Sequence, residues 1–315
     1  MKKKLFFLLC MALTWTVSLT AQNISVVTAN GATTLVRTLD EAIAIVNENP
    51  GCVVYLPGGG HSVSNDSKIT KKVTIIGIGH KIKGENADGF TTISGNLYFN
   101  GGSDGSALLG CYLTYDVEIG NDKAVNDVLV RYCNVRGVYV RNGSQDTEVN
   151  QCYVRSSASF NGNNGYFTHN IASSFYGLDN GFIEYNVFTG QIGSSSTNIA
   201  NSSFIGNIFT GSIRYINSNC QVADNACING TVGDGINFGV SADDVFVNPG
   251  GANSTSDYHF KGNFTQYQNT YGPYVGNQFN DTGLPPVPYI VAKQIPMETD
   301  ASGKLNIKIR VNAGQ

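Results

Sequence analysis

The chain has 315 residues, 41% of them hydrophobic and only 14% charged. Ordinary soluble domains carry about 25% charge, and disordered or coiled-coil chains differ from this composition even more, so both of those classes are excluded. With 37 glycines, 35 asparagines and only 8 prolines, the composition points to many short strands joined by tight turns.

The N-terminus opens with Lys2, Lys3 and Lys4, followed by an apolar run from Leu5 to Leu13. A more polar stretch then ends at Ser18-Leu19-Thr20-Ala21, before Gln22. This pattern predicts a secretory signal peptide over residues 1–21, with a retained anchor as the alternative. No later segment approaches the ~20 apolar residues of a transmembrane helix. The expected mature protein is exported to the periplasm, cell surface or medium, with no transmembrane segment. Without residues 1–21, 17 basic face 23 acidic residues, a formal charge of −6. That sign argues against a nucleic-acid partner. Trp15, the one tryptophan, leaves with the leader, so stacking contacts fall to tyrosine and phenylalanine. Cys52, Cys111, Cys133, Cys152, Cys220 and Cys227 include no C-x-x-C pair, so no zinc site is expected. Mostly buried thiols are the favoured reading.

Residues 38–49 predict a helix. Thr38 and Glu41 have capping-box spacing, Leu39, Ala42, Ile43 and Val46 share one face, and Pro50-Gly51 stops the run. Residues 22–52 are read as an N-terminal cap around it. Buried-strand runs follow at Cys52–Leu56 and Val73–Gly79. From about residue 105 the chain repeats itself. The triplets beginning at Cys111, Asn134, Cys152, Asn170, Asn186, Asn207 and Asn225 lie 23, 18, 18, 16, 21 and 18 residues apart. So short a period, rich in β-formers and glycine, indicates a β-solenoid over residues 53–250. Two rows are expected to face inward. One is Tyr112, Val135, Tyr153, Ile171, Val187, Ile208 and Ala226. The other is Val117, Val140, Ala158, Tyr176, Ile192, Ile213 and Thr231. The recurring asparagine suits a left-handed corner and can bond its neighbour one strand spacing away, forming a ladder. A polar ligand-binding line is the alternative. Residues 251–315 are expected to form a C-terminal cap over the last coil's edge, with a β-hairpin pairing 289–296 with 304–311. A small accessory module is the runner-up.

The order helix, Val-Val-Tyr-Leu-Pro-Gly-Gly, Val-Thr-Ile-Ile-Gly-Ile-Gly and Asn-Val-Phe-like coils resembles the pectate-lyase-type proteins. The resemblance implies an all-β fold, a single-stranded right-handed parallel β-helix (pectin-lyase-like solenoid) with an N-terminal capping helix and a C-terminal cap. The pieces Asp244–Pro249, Asp257–Phe260, Gly283–Pro288 and Gly303–Ile309 resemble a recurrent ending of secreted β-helix proteins from Gram-negative bacteria. For function, it implies binding or processing of polysaccharide. Lyases of this type hold calcium with clustered aspartates and use an arginine or lysine as base, so Ca2+ is the cofactor to test. Relatives that hydrolyse polygalacturonan carry Asn-x-Asp, paired Asp, Gly-His-Gly and Arg-x-Lys together; that set is missing here, and the Asp243-Asp244 pair reads as solvated surface. Enzyme and non-enzyme readings both stay open: a binding protein, a polysaccharide lyase or hydrolase, or a surface structural protein, each a monomer.

The repeat phase selects candidate side chains. Asp116 and Glu118 stand on one coil, with Tyr139 and Arg141 on the next, placing Glu118 beside Arg141 and Asp116 beside Tyr139. Such a patch would bind a uronate, Arg141 taking its carboxylate or acting as base while the acid pair holds calcium. The alternative is a surface ion pair between coils. His169 with Glu184 is a second acid–base candidate, against the alternative that His169 fills a turn. Arg136 and Arg155, with Arg131, complete a basic set suited to anions. The expected catalytic residues are therefore Arg141 and His169. Asp116, Glu118, Tyr139, Arg136, Arg155 and Glu184 are the expected substrate-binding residues, and no protein metal site is assigned.

Overall fold

The computed structural model describes residues 23–312 except 66, 82–88, 142, 195–198, 212, 215, 218, 231–234, 295–301 and 305–306. The expected signal peptide lies outside the described residues. Helix α1 (Leu39–Glu48) starts on the capping box, with the Thr38 hydroxyl and the Glu41 carboxylate each satisfying the other's backbone N–H. Its apolar face, Leu39, Ala42, Ile43 and Val46, is buried in the core that the strands enclose. Asn47 ties it to the neighbouring coil, donating to Lys68 O at 2.8 Å and accepting from Thr70 N at 2.8 Å.

The strands stack in parallel as a β-solenoid of about eight turns. Each turn places one short strand in a first sheet, rounds a corner, and enters a second sheet. Leu129–Arg131, Glu148–Asn150, Tyr166–Thr168 and Phe182–Glu184 are successive members of the first sheet. Asn134–Val140, Tyr153–Asn163 and Ile171–Asp179 are successive members of the second. The corner is made by a residue in the left-handed region: Gly110, Tyr132, Gln151, His169, Tyr185, Gly206 and Asp224, with φ between 50° and 67°.

The residue after each corner forms the ladder. It runs Cys111, Cys133, Cys152, Asn170, Asn186, Asn207, Asn225, all buried. Asn186 is representative: its Oδ1 accepts from the Asn170 backbone N–H at 2.8 Å, and its amide donates to Phe167 O at 2.7 Å and Asn207 Oδ1 at 3.0 Å. The cysteines continue the same line, Cys152 N–H donating to Asn170 Oδ1 at 2.9 Å and Cys133 N–H to the Cys152 sulfur at 3.4 Å. All six cysteines among the described residues are free thiols, and only Cys220 is not fully buried. This corrects one rung of the sequence reading. Cys133, not Asn134, stands in the ladder; Asn134 pairs with Tyr112 and Tyr153, one step further along.

Of the expected inward rows, Val117, Ala158, Ile192 and Ile213 do line the core, but Val138 and Phe175 fill the places given to Val140 and Tyr176. Val140 belongs to a neighbouring inward row with Ile119 and Phe160. Thr231 lies outside the described residues. In the other row Val135 does lie in the core, but the later members are corrected. Tyr153, Ile171, Val187, Ile208 and Ala226 face outward and are buried in a second apolar cluster with Tyr258, Tyr271, Tyr274 and Phe279. Period-2 alternation puts the next residues (Val154, Ala172, Phe188, Phe209) inside instead.

The outer row is covered because the chain returns along the solenoid's side. After the short helix α2 (Ala242–Val245) and the antiparallel strands Phe246–Asn248 and Asp257–Phe260, residues 267–285 cross successive corners. Gly272 N–H donates to Gly206 O at 2.7 Å, and His80 N–H to Thr282 O at 2.9 Å. Tyr153 and Tyr274 both donate to Asp281 Oδ1 at 3.2 Å. The sequence reading set this segment over the last coil's edge; these contacts are lateral. Strands Tyr289–Gln294 and Lys308–Asn312 pair antiparallel, as the expected hairpin requires.

Candidate functional site

Beyond a bend at Val135/Gly137, the second sheet turns a new outer face to solvent. Strand alternation sends Asp116 and Glu118 outward while Val117 and Ile119 enter the core. Asp116 stands opposite Gly137, and Glu118 opposite Tyr139. The expected neighbour of Asp116 was Tyr139. The ladder rung at Cys133 and a coil one residue shorter before Gly137 account for the shift of two. Glu118 and Arg141 do meet, because the long arginine side chain spans the offset: Nε lies 2.7 Å and Nη2 3.3 Å from the carboxylate. Arg136 takes Asp116 in the same two-pronged way, with Nε–Oδ1 at 2.9 Å and a second bond from Nη2 to Oδ2.

The two carboxylates are nearly enclosed, at 5% and 12% side-chain exposure, while Arg136 and Arg141 keep 47% and 43%. Each guanidinium is held above its usual range by its carboxylate partner. Arg155 differs. Its Nη2 donates to backbone carbonyls, Leu113 O at 2.6 Å and Thr114 O at 3.4 Å, and among the described residues no carboxylate forms an ion pair with it. Arg136, Arg141 and Arg155 also lie beside tyrosine rings, as Lys68 does. The distances to the ring centre are 3.3 Å for Lys68–Tyr98, 4.4 Å for Arg155–Tyr112, 5.1 Å for Arg136–Tyr115 and 5.4 Å for Arg141–Tyr139. Tyr139 further shares a hydrogen bond with Ser157 at 3.0 Å. The tyrosines were not singled out together in the sequence, although the repeat phase places Tyr98, Glu118 and Tyr139 in one column.

The donor set does not suit calcium. Both acids are committed to arginines, and among the described residues no group of three or more His, Cys, Asp or Glu side chains could hold a metal.

Among the described residues, no side-chain hydrogen bond joins His169 to Glu184. Their link is through the backbone, His169 N–H donating to Glu184 O at 3.0 Å. The His169 ring stacks on Tyr185 with centres 5.2 Å apart, and its Nδ1 lies 3.2 Å from Pro273 O of the returning segment. Burial lowers its pKa. Burial raises that of Glu184, opposed by a bond from Ser203. His169 is a corner residue, at φ 53°, and lies at the start of a second-sheet strand, whereas Arg141 lies just past the end of one. The structure therefore separates the two expected catalytic residues and gathers Arg136, Arg141, Arg155, Asp116, Glu118 and Tyr139 on one face. Among the described residues, no helix is long and apolar enough to cross a membrane. Comparison with models of known protein families, with curated proteins and with solved structures finds no match to this chain.

Proposed function

We propose that this is an exported, monomeric β-solenoid of the right-handed, pectate-lyase-like type that binds an acidic polysaccharide along its arginine–tyrosine face. The observation that carries the reading is that Lys68, Arg136, Arg141 and Arg155 each lie beside a tyrosine ring. Guanidinium groups fit the carboxylates of uronates, and tyrosine faces fit the apolar faces of sugar rings. Rungs repeat about every 4.8 Å, which lets a linear polymer meet several pairs at once. The reading is of binding without turnover. A β-eliminating lyase needs a base free to take a proton; Arg141 is engaged by Glu118, and His169 is apart from this face.

The test is a panel of uronate polymers (polygalacturonate, alginate) and neutral glycans, read for binding and for unsaturated or reducing-end products. Retention by a uronate polymer with no new product is the expected result. Silence across all the uronates would sink the proposal. Unsaturated products that disappear in Arg141→Ala would replace it with the lyase reading.

A further inference from the structure

The first sheet carries a different feature on its outer side. One outward column runs Glu148, Tyr166, Phe182, Ser203, Gln221. Tyr166 and Phe182 stack with ring centres 5.3 Å apart and planes 8° from parallel, and each remains 42–43% exposed. The two stacked rings present one exposed aromatic surface on this flank. The column of rings stops abruptly because the next coil supplies only Ser203. Where a third ring would lie, there is a groove of about 320 Å3 beside Phe182.

The groove is polar but uncharged. Asn180, Asn201, Asn219, Ser203 and Gln221 line it along with the phenyl ring. Part of the amide row is already braced: Asn180 donates to Asn164 Oδ1, Asn219 to Asn201 Oδ1, and Asn201 to Asp179 Oδ1, each at 2.6 Å. That bracing fixes the side chains and commits the nearby Asp179 carboxylate to an amide. A preorganised row of amides and hydroxyls beside an open aromatic face offers donors and acceptors at one edge and an apolar plane at the other.

We propose that this groove binds a neutral pyranose unit of a glycan chain, the sugar ring stacking on Phe182 as the third member of the column. A sugar presents the matching pair of surfaces, an apolar C–H face and a rim of hydroxyls. A purely apolar side chain of a protein partner would bury the amides without satisfying them, at about 1–3 kcal/mol for each. A uronate would bring a charge to a site holding no cation. The site lies on the other sheet from the arginine–tyrosine face and stands or falls separately from it.

Affinity electrophoresis in gels containing soluble β-glucan, arabinoxylan or galactomannan tests this, with polygalacturonate gels run in parallel. The wild type should be retarded by at least one neutral polymer. Phe182→Ala should weaken that retardation about tenfold by removing the stacking face. Ser203→Tyr should do the same by completing the column with a protein ring. Both variants should keep the wild-type behaviour in polygalacturonate gels, so a failure there concerns the other face. Should either variant fail to fold, Phe182→Trp keeps the platform and adds the only tryptophan besides Trp15; its emission should shift when the neutral polymer is added. Wild-type mobility unaltered by all three neutral polymers overturns the proposal. So does undiminished retardation in Ser203→Tyr, or an unshifted Phe182→Trp spectrum with a polymer that retards the wild type.

Discussion

Asn186 illustrates how one side chain holds three coils together. It accepts from the coil before it, donates to the coil after it, and closes a carbonyl left open at the corner by Phe167. All of this happens at zero exposure, where an unmade bond is not replaced by water. Asn186→Ala would strand the Asn170 backbone N–H and the Phe167 carbonyl. The expected loss is about 3 kcal/mol, within the range for unsatisfied buried groups, read as a lower urea midpoint with an unchanged slope. An unchanged midpoint would show that the ladder is ornamental. The ladder was legible because asparagine recurs at the solenoid period. The rung at Cys133 was not, because an asparagine stands right beside it at Asn134 and matched the pattern by type. Hydrogen-bond position decides a rung, and a buried thiol can occupy it at low cost.

At the scale of elements, the returning segment 267–285 is the part least visible in sequence. Nothing local in its glycines and tyrosines says where it docks. The clue lay elsewhere, in an outward strand row (Tyr153, Ile171, Val187, Ile208) too apolar for solvent. A row with that composition looks the same whether it faces a solenoid core or a second layer. Two histidines are trapped under this segment, His80 against Gly283 and His169 against Pro273. Burial pushes the His80 pKa from 6.5 down to about 3. As pH falls, the unfolded chain therefore takes the proton before the native one does. The stability tied to a neutral His80 is complete above pH 6.5 and drains away toward pH 3, at up to ~1.4 kcal/mol per pH unit. His169 shifts in the same direction. Urea midpoints measured from pH 7.5 to pH 4.5 should fall more steeply for the wild type than for His80→Leu. Parallel curves for the two proteins would contradict the assignment.

At the scale of the molecule, a formally acidic chain, at −3, gathers Arg136, Arg141 and Arg155 on one face. The solenoid makes this possible by stacking distant residues on adjacent coils, so Glu118 and Arg141 meet although 23 positions separate them. Fold class was legible from the period alone, since few architectures repeat every 16 to 23 residues. The site was legible in part. Phase gave the Glu118–Arg141 contact, but it missed Asp116–Arg136 because the shorter coil shifts the register by two. His169 occupies a corner, as its turn-filling alternative expected, with its ring stacked on Tyr185. Arg155 offers the cleanest probe of the face, since its removal leaves no carboxylate unpaired. The most direct measurement is retention on immobilised polygalacturonate, at low and high salt, for the wild type, Arg155→Gln and the paired variant Glu118→Gln/Arg141→Gln. The expected result is wild-type retention that weakens with salt, reduced about three- to tenfold by each replacement. Retention that is indifferent to both variants, or absent even at low salt, would contradict a polysaccharide-binding face built from these arginines.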